Sequence, residues 1–242
     1  MKLVLFDIDG TILLTDGAGR RAVQRALVEV FGSAGSADHR FDGKTDPQIV
    51  RELMRMEGHG DEHIDERMGR MLARYVELLH EELRGGPGST RLMPGVRELL
   101  DALDARDDVL LGLLTGNLAA GARAKLSVAG IDPDRFRIGA FGSDHELRGE
   151  LPRVAQQRAR DELGLDVAGS DVVVIGDTPA DIQCGRAIGA RAIAVATGHY
   201  SVADLERHHP AAVFADLSAT DEVVQAIVGD DLARGPRGRF VE

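Results

Sequence analysis

Apolar residues fall along this chain in two alternating rhythms. Short continuous runs (Leu3-Val4-Leu5-Phe6, Val109-Leu110-Leu111-Gly112-Leu113-Leu114, Val172-Val173-Val174-Ile175, Arg191-Ala192-Ile193-Ala194-Val195 and Ala212-Val213-Phe214) are separated by stretches in which apolar positions recur every three or four residues. Runs without polar alternation, rich in β-branched residues, predict strands buried on both faces. Set between helices, they predict a parallel sheet of the α/β class. Ligands of such sheets bind beyond the carboxyl ends of the strands. The first three runs lead into Asp7 and Asp9, Thr115-Gly116-Asn117, and Gly176-Asp177, so three strand ends can converge on one crevice.

Between the first and second runs the chain makes an excursion far longer than an ordinary crossover. Its pattern is helical. Ala22, Val23, Ala26, Leu27, Val30 and Phe31 form one apolar stripe over 20–31, with Gly32 placed to stop it. Thr45-Asp46-Pro47 predicts a helix start with Asp46 as the cap, followed by the apolar face of Ile49, Val50, Leu53 and Met54. Ile64, Met68, Leu72, Val76, Leu79 and Leu83 make a third stripe, which Gly85-Gly86-Pro87-Gly88 ends. The expectation is a helical cap over 16–90 inserted into a core made of 1–15 and 91–228. The other arrangement is three helices packed directly on the sheet. The aperiodic stretch 229–242 is expected to be a flexible tail.

A length of 242 residues accommodates one large domain or a core with such an insertion. The formal net charge of −11 argues against nucleic acid as a partner, because that interaction needs a basic surface to neutralise phosphates. No apolar stretch is long enough for a bilayer, and the N-terminus reads as a strand rather than a signal peptide. Cys184 is the sole cysteine, which excludes an internal disulfide and a thiolate zinc site. A cytoplasmic protein without membrane contact is therefore expected, as monomer or homodimer. Lysine occurs only at 2, 44 and 125.

Asp7 and Asp9 carry the clearest chemical signal. Burying two like charges at a strand end is costly without a counter-ion, which argues for a bound metal. In Gly176-Asp177-Thr178-Pro179-Ala180-Asp181 the first aspartate sits at a strand tip and the second in the first turn of a helix, so four carboxylates come from two strand ends. Asp181 alone could instead stabilise that helix N-terminus. Hard oxygen donors with no cysteine cage favour Mg²⁺ over zinc. The hydroxyl and backbone N–H groups of Thr115-Gly116-Asn117 suit phosphate oxygens.

Asp7-Ile8-Asp9-Gly10-Thr11, Leu114-Thr115-Gly116-Asn117 and Gly176-Asp177-Thr178-Pro179-Ala180-Asp181, in this order and at strand ends, resemble the motifs of the haloacid dehalogenase-like hydrolases. The long insertion resembles the helical cap of their phosphoglycolate phosphatase-like group, and Gly43-Lys44-Thr45-Asp46 resembles its substrate-facing loop. The resemblance implies a three-layer Rossmann-like core and a Mg²⁺-dependent phosphatase acting on a small phosphorylated metabolite such as phosphoglycolate. Asp7 is then the nucleophile that forms an aspartyl-phosphate, and Asp9 the acid and base. Mg²⁺ is held by the Asp7 carboxylate, the Asp9 main-chain carbonyl and Asp177, with Asp181 holding a metal water or a neighbouring cation. Thr115, Gly116 and Asn117 grip the phosphoryl group, while Lys44, Thr45 and Arg20 face the rest of the substrate. An intact Asp9 favours phosphoryl transfer over dehalogenation.

One departure from the family pattern stands out. The lysine usual before the last motif is missing, and Arg148-Gly149-Glu150-Leu151-Pro152-Arg153 occupies the corresponding stretch. Arg148 is the expected substitute, with Arg153 in reserve. Rival readings are a phosphonoacetaldehyde hydrolase using Lys44, a sugar-phosphate mutase, and a non-catalytic binding module. His59-Gly60-Asp61-Glu62-His63 reads as a solvated loop rather than a metal site.

Overall fold

The computed structural model describes residues 1–84 and 90–229. In chain order its elements are β1 (Lys2–Phe6), β2 (Leu13–Leu14), α1 (Ala18–Phe31), α2 (Asp46–Met56), α3 (Asp61–Leu83), β3 (Arg91–Leu92), α4 (Val96–Asp104), β4 (Val109–Thr115), α5 (Ala119–Val128), β5 (Ile138–Phe141), α6 (Leu151–Leu163), β6 (Val172–Gly176), α7 (Pro179–Cys184), β7 (Arg191–Val195), α8 (Val202–Glu206), β8 (Ala212–Phe214) and α9 (Thr220–Val228). The glycine-rich stop after α3 and nearly all of the predicted tail lie outside the described residues.

Six strands form one parallel sheet in the order β5-β4-β1-β6-β7-β8. The five apolar runs are all strands. The sixth, Ile138–Phe141, was not expected, because its four residues include Gly139 and its burial alternates as an edge strand's does. β1 lies at the centre, with Phe6 level with Leu113 of β4 and Ile175 of β6. Three carboxyl ends are therefore neighbours, and the chain order reverses beside β1, which opens a crevice there.

Alternate residues of the strands face opposite layers. Val4, Phe6, Leu111, Leu113, Val173 and Ile175 pack with α4, α5 and α9. Leu3, Leu5, Leu110, Leu114, Val172 and Val174 pack with α6, and β7 continues that face against Leu205 of α8. The result is a helix–sheet–helix sandwich.

Helices α1, α2 and α3 leave and return through the antiparallel ribbon of β2 and β3. They have an apolar core of their own, including Leu27, Leu53, Met54, Met71 and Leu79, which also takes in Leu118 and Ala124 at and within α5. Gly32 ends α1 at φ 83°, as its position predicted. Asp46 is not the cap of α2. Thr45 takes that position and accepts from the Gln48 N–H, while Asp46 turns its carboxylate toward the Leu118 N–H at 2.8 Å. A threonine one residue upstream competes for the cap, and the buried Leu118 donor needs an acceptor. Among the described residues, no helix is long and apolar enough to cross a membrane.

Candidate active site

Asp7 is the first residue past β1. Its N–H continues the β1–β6 ladder by donating to the Ile175 carbonyl at 2.9 Å, and the residue is only 6% exposed. A carboxylate so placed needs a partner. Arg148, in a single turn of 3₁₀ helix ahead of α6, brings Nη2 to 3.1 Å from Asp7 Oδ1. The same nitrogen bonds the Asp181 carboxylate and reaches the Leu114 carbonyl at 3.4 Å. Arg153 is exposed and lies 3.7 Å from Glu150, so Arg148 is the cation that meets Asp7.

Burial pushes the Asp7 carboxyl up to about 6, against the lowering influence of Arg148, and Asp181 and Asp9 raise it further. Asp177, just past β6, is pushed well above the carboxylate range by burial, then by Asp181 and Asp7. For Arg148 burial works against the charge, yet Asp181 and Asp7 hold its pKa above the ordinary value. Too much negative charge is gathered here for one guanidinium to balance.

Oxygens of Asp7, Asp177 and Asp181 lie within 4.8 Å of one another. The surrounding backbone makes room for Asp177. A Cβ at Gly198 would sit 1.8 Å from Asp177 Oδ2, and one at Gly10, where φ is +90°, 2.4 Å from it. Crowded hard oxygen donors in a cradle kept clear of side chains fit a divalent cation. Asp181 is the most committed of the three. Its Oδ2 accepts the Thr178 N–H at 3.0 Å and hydroxyl at 2.6 Å in a capping box for α7, and Arg148 holds Oδ1. Of the two roles open to Asp181, it fills both the helix cap and the cation partner.

Asp9 is half-buried, and its carboxylate lies apart from this cluster. Both of its oxygens accept from Lys125 Nζ at 2.7 Å, and Oδ2 also accepts from Asn117 Nδ2 at 2.7 Å. Asn117 further donates to Thr115 Oγ1 at 2.8 Å and accepts from Lys125 at 2.7 Å. Lys125 is the residue that sequence reasoning overlooked. Its signal was a lone lysine three residues after Ala122, on the apolar face of a helix that follows a motif loop.

A cavity of about 640 Å³ opens over these groups, walled by Asp7, Asp9, Asn117, Lys125 and Arg148 below and by Arg20, Phe41, Lys44 and Tyr75 of the helical insertion. Arg20 stacks on Phe41, 3.9 Å from the ring centre. Lys44 is bonded to Glu52 at 2.5 Å and stands 3.2 Å from His39 Nε2. Gly116 lies so close under the insertion that a Cβ there would meet the Lys44 carbonyl at 1.9 Å. Thr45 corrects the expectation of a substrate contact. It is fully buried, and its hydroxyl caps α2 and donates to the Glu146 carbonyl at 2.6 Å, so the cavity wall does not include it.

Residues 4–186 match the haloacid dehalogenase-like hydrolase family. The chain belongs to that family. It is 28% identical over 231 residues to the phosphoglycolate phosphatase of Rhodospirillum rubrum, covering 90% of this chain and 88% of that one. Solved structures share its fold as well. A hydrolase from Pseudomonas syringae has TM-score 0.70 at 20% identity, over 94% of this chain and 99% of that chain. CbbY from Rhodobacter sphaeroides in complex with phosphate has TM-score 0.65 at 19% identity, over 90% and 95%. Family and curated relatives together place the chain among phosphatases, the hydrolases of phosphoric monoesters.

Proposed function

We propose that this protein is a Mg²⁺-dependent phosphatase that hydrolyses a small phosphorylated metabolite through an aspartyl-phosphate on Asp7. One observation carries the reading: Asp7 lies on the cavity wall, paired with a buried arginine and crowded by two further carboxylates. Asp7 and Asp177, with the Asp9 main-chain carbonyl, would hold the metal, and Asp181 would anchor Arg148. The bound metal supplies positive charge that keeps Asp7 ionised and draws the phosphoryl oxygens.

The Asp7 carboxylate attacks phosphorus as the ester O–P bond breaks, and the departing oxygen takes a proton from the Asp9 carboxyl. Water then attacks the aspartyl-phosphate while the Asp9 carboxylate takes a proton from it. Inorganic phosphate leaves and the Asp7 carboxylate is regenerated. Gly116 and Asn117, on the cavity wall, would hold the phosphoryl oxygens, with Thr115 fully buried behind them, and Arg148 would offset their charge beside Asp7. Residues 16–90 act as a cap that excludes bulk water, with core 1–15 and 91–228 beneath. Arg20 and Lys44 would meet an anionic group distant from the phosphate.

Phosphoglycolate is the first candidate, given the similarity to a phosphoglycolate phosphatase, although a cavity of about 640 Å³ has room for a larger ester. The test is release of inorganic phosphate from phosphoglycolate, then from pentose and hexose phosphates, with Mg²⁺ and with EDTA. We expect Mg²⁺-dependent release that Asp7→Asn abolishes. Near-normal turnover by Asp7→Asn would sink the mechanism, and an isomerised sugar phosphate in place of free phosphate would make the protein a mutase.

A further inference from the structure

We infer that Lys125 is a positioning residue that fixes the Asp9 carboxylate for its proton transfers, and that the helical insertion holds Lys125 in place. The inference rests on the role given to Asp9 above.

Lys125 is 3% exposed. Burying an ammonium carries a desolvation cost that only close, well-formed partners offset. Its three donors meet three acceptors at 2.7 Å: Asp9 Oδ1, Asp9 Oδ2 and Asn117 Oδ1. Asn117 closes the ring by donating to Asp9 Oδ2. The Asp9 side chain, by contrast, is 40% exposed toward the cavity. Water could solvate a carboxylate in that position, so folding has no need of a buried lysine there. What the ring does supply is a single orientation for a group that must meet a leaving oxygen and later a water molecule.

The insertion closes around the same ammonium. A Cβ at Gly19 of α1 would stand 3.5 Å from Lys125 Nζ, so the helix approaches there without a side chain. From α2, Asp46 faces Lys125 electrostatically, bonds the Leu118 N–H, and donates its own N–H to the Gly116 carbonyl at 2.8 Å. Tyr75 of α3 faces Asp46, its phenol pushed up by burial and then by the Asp46 charge. Three helices of the insertion thereby brace the loop and helix that carry Asn117 and Lys125. Docking of the insertion and placement of the proton-transfer group are one structural event.

The test uses the full chain with Mg²⁺ and two esters, p-nitrophenyl phosphate, whose leaving group needs little protonation, and phenyl phosphate, whose leaving group needs more. Asp9→Asn is expected to lower kcat/KM for phenyl phosphate by about 10²–10⁴-fold and kcat/KM for p-nitrophenyl phosphate far less, since kcat/KM reports the leaving-group step. Lys125→Met is expected to show the same selectivity, with about a 10²-fold loss on phenyl phosphate. In the Asp9→Asn background it should cost no more than about twofold. Equal losses on both esters that persist in that background would mean Lys125 binds the phosphoryl group directly, and unchanged kinetics would mean it only fills space. Either result overturns the inference. If Lys125→Met does not fold by circular dichroism, Lys125→Gln, which keeps one donor, is held to the same outcomes. No EDTA-sensitive phosphate release by wild type, or no leaving-group dependence in Asp9→Asn, is instead a failure of the parent mechanism.

Discussion

Arg148 offers the sharpest test of how this site manages its charge. Only Nη2 reaches Asp7, Asp181 and the Leu114 carbonyl, while the buried Nε has no hydrogen-bond partner. The arginine therefore acts as a point charge rather than a fork, and its unpaired N–H is itself a cost of roughly 1–3 kcal/mol. Arg148→Lys should retain the charge, shed the orphan donor and leave stability within about 1 kcal/mol of wild type. Arg148→Met should strand buried carboxylates and cost about 3–5 kcal/mol at pH 8.

The pH dependence of that deficit can be worked out for Asp7. Its folded-state pKa, about 6, already exceeds the ordinary 3.8. A carboxyl raised in this way stabilises the fold least when ionised, so its penalty grows as pH climbs from about 4 through 6. Removing Arg148 takes away the main influence lowering that value, and the penalty then extends to higher pH. The Arg148→Met deficit should accordingly shrink at pH 5, where Asp7 carries a proton in both proteins. Urea unfolding in EDTA at pH 5 and pH 8 measures it. A deficit equal at both values, or larger at pH 5, would refute the electrostatic account, as would Arg148→Lys being no better than Arg148→Met.

Three further outcomes follow from the geometry. Gly198→Ala would force a methyl against Asp177 Oδ2 and should weaken Mg²⁺ binding by about 10–100-fold in isothermal titration; unchanged affinity would remove Asp177 from the metal site. Mg²⁺ at 100 times its Kd should stabilise the protein by about 2.7 kcal/mol at pH 8. The gain should be smaller at pH 5, where protons compete for Asp7 and Asp177, and an equal gain there in differential scanning would contradict the assignment. Thr45→Val should cost about 1–2 kcal/mol through the lost helix cap and leave KM for the substrate unchanged; a raised KM would restore Thr45 to the substrate surface.

The sequence determined the strands, because Leu3–Phe6, Val109–Leu114 and Val172–Ile175 are apolar without interruption and only a sheet covered on both faces buries such runs. It also determined where the chemistry gathers, since Asp7 and Asp177 each follow a strand and Thr115 ends one, and parallel order brings those ends together. Arg148 was legible as a charge in the right interval, although only the fold separated it from Arg153. Lys125, Asp46 and Tyr75 were not legible. They lie on three helices separated by tens of residues, each in a pattern that reads as an ordinary helix face, and they meet only when the insertion docks against α5. Thr45 failed for the same reason, its hydroxyl being claimed by a helix end and by Glu146, about 100 residues away. Local periodicity fixes which face of an element is buried, but the partners across that face are set by tertiary packing. The charge on Asp9 is balanced there, by a lysine whose local sequence marks it as buried but does not name its partner.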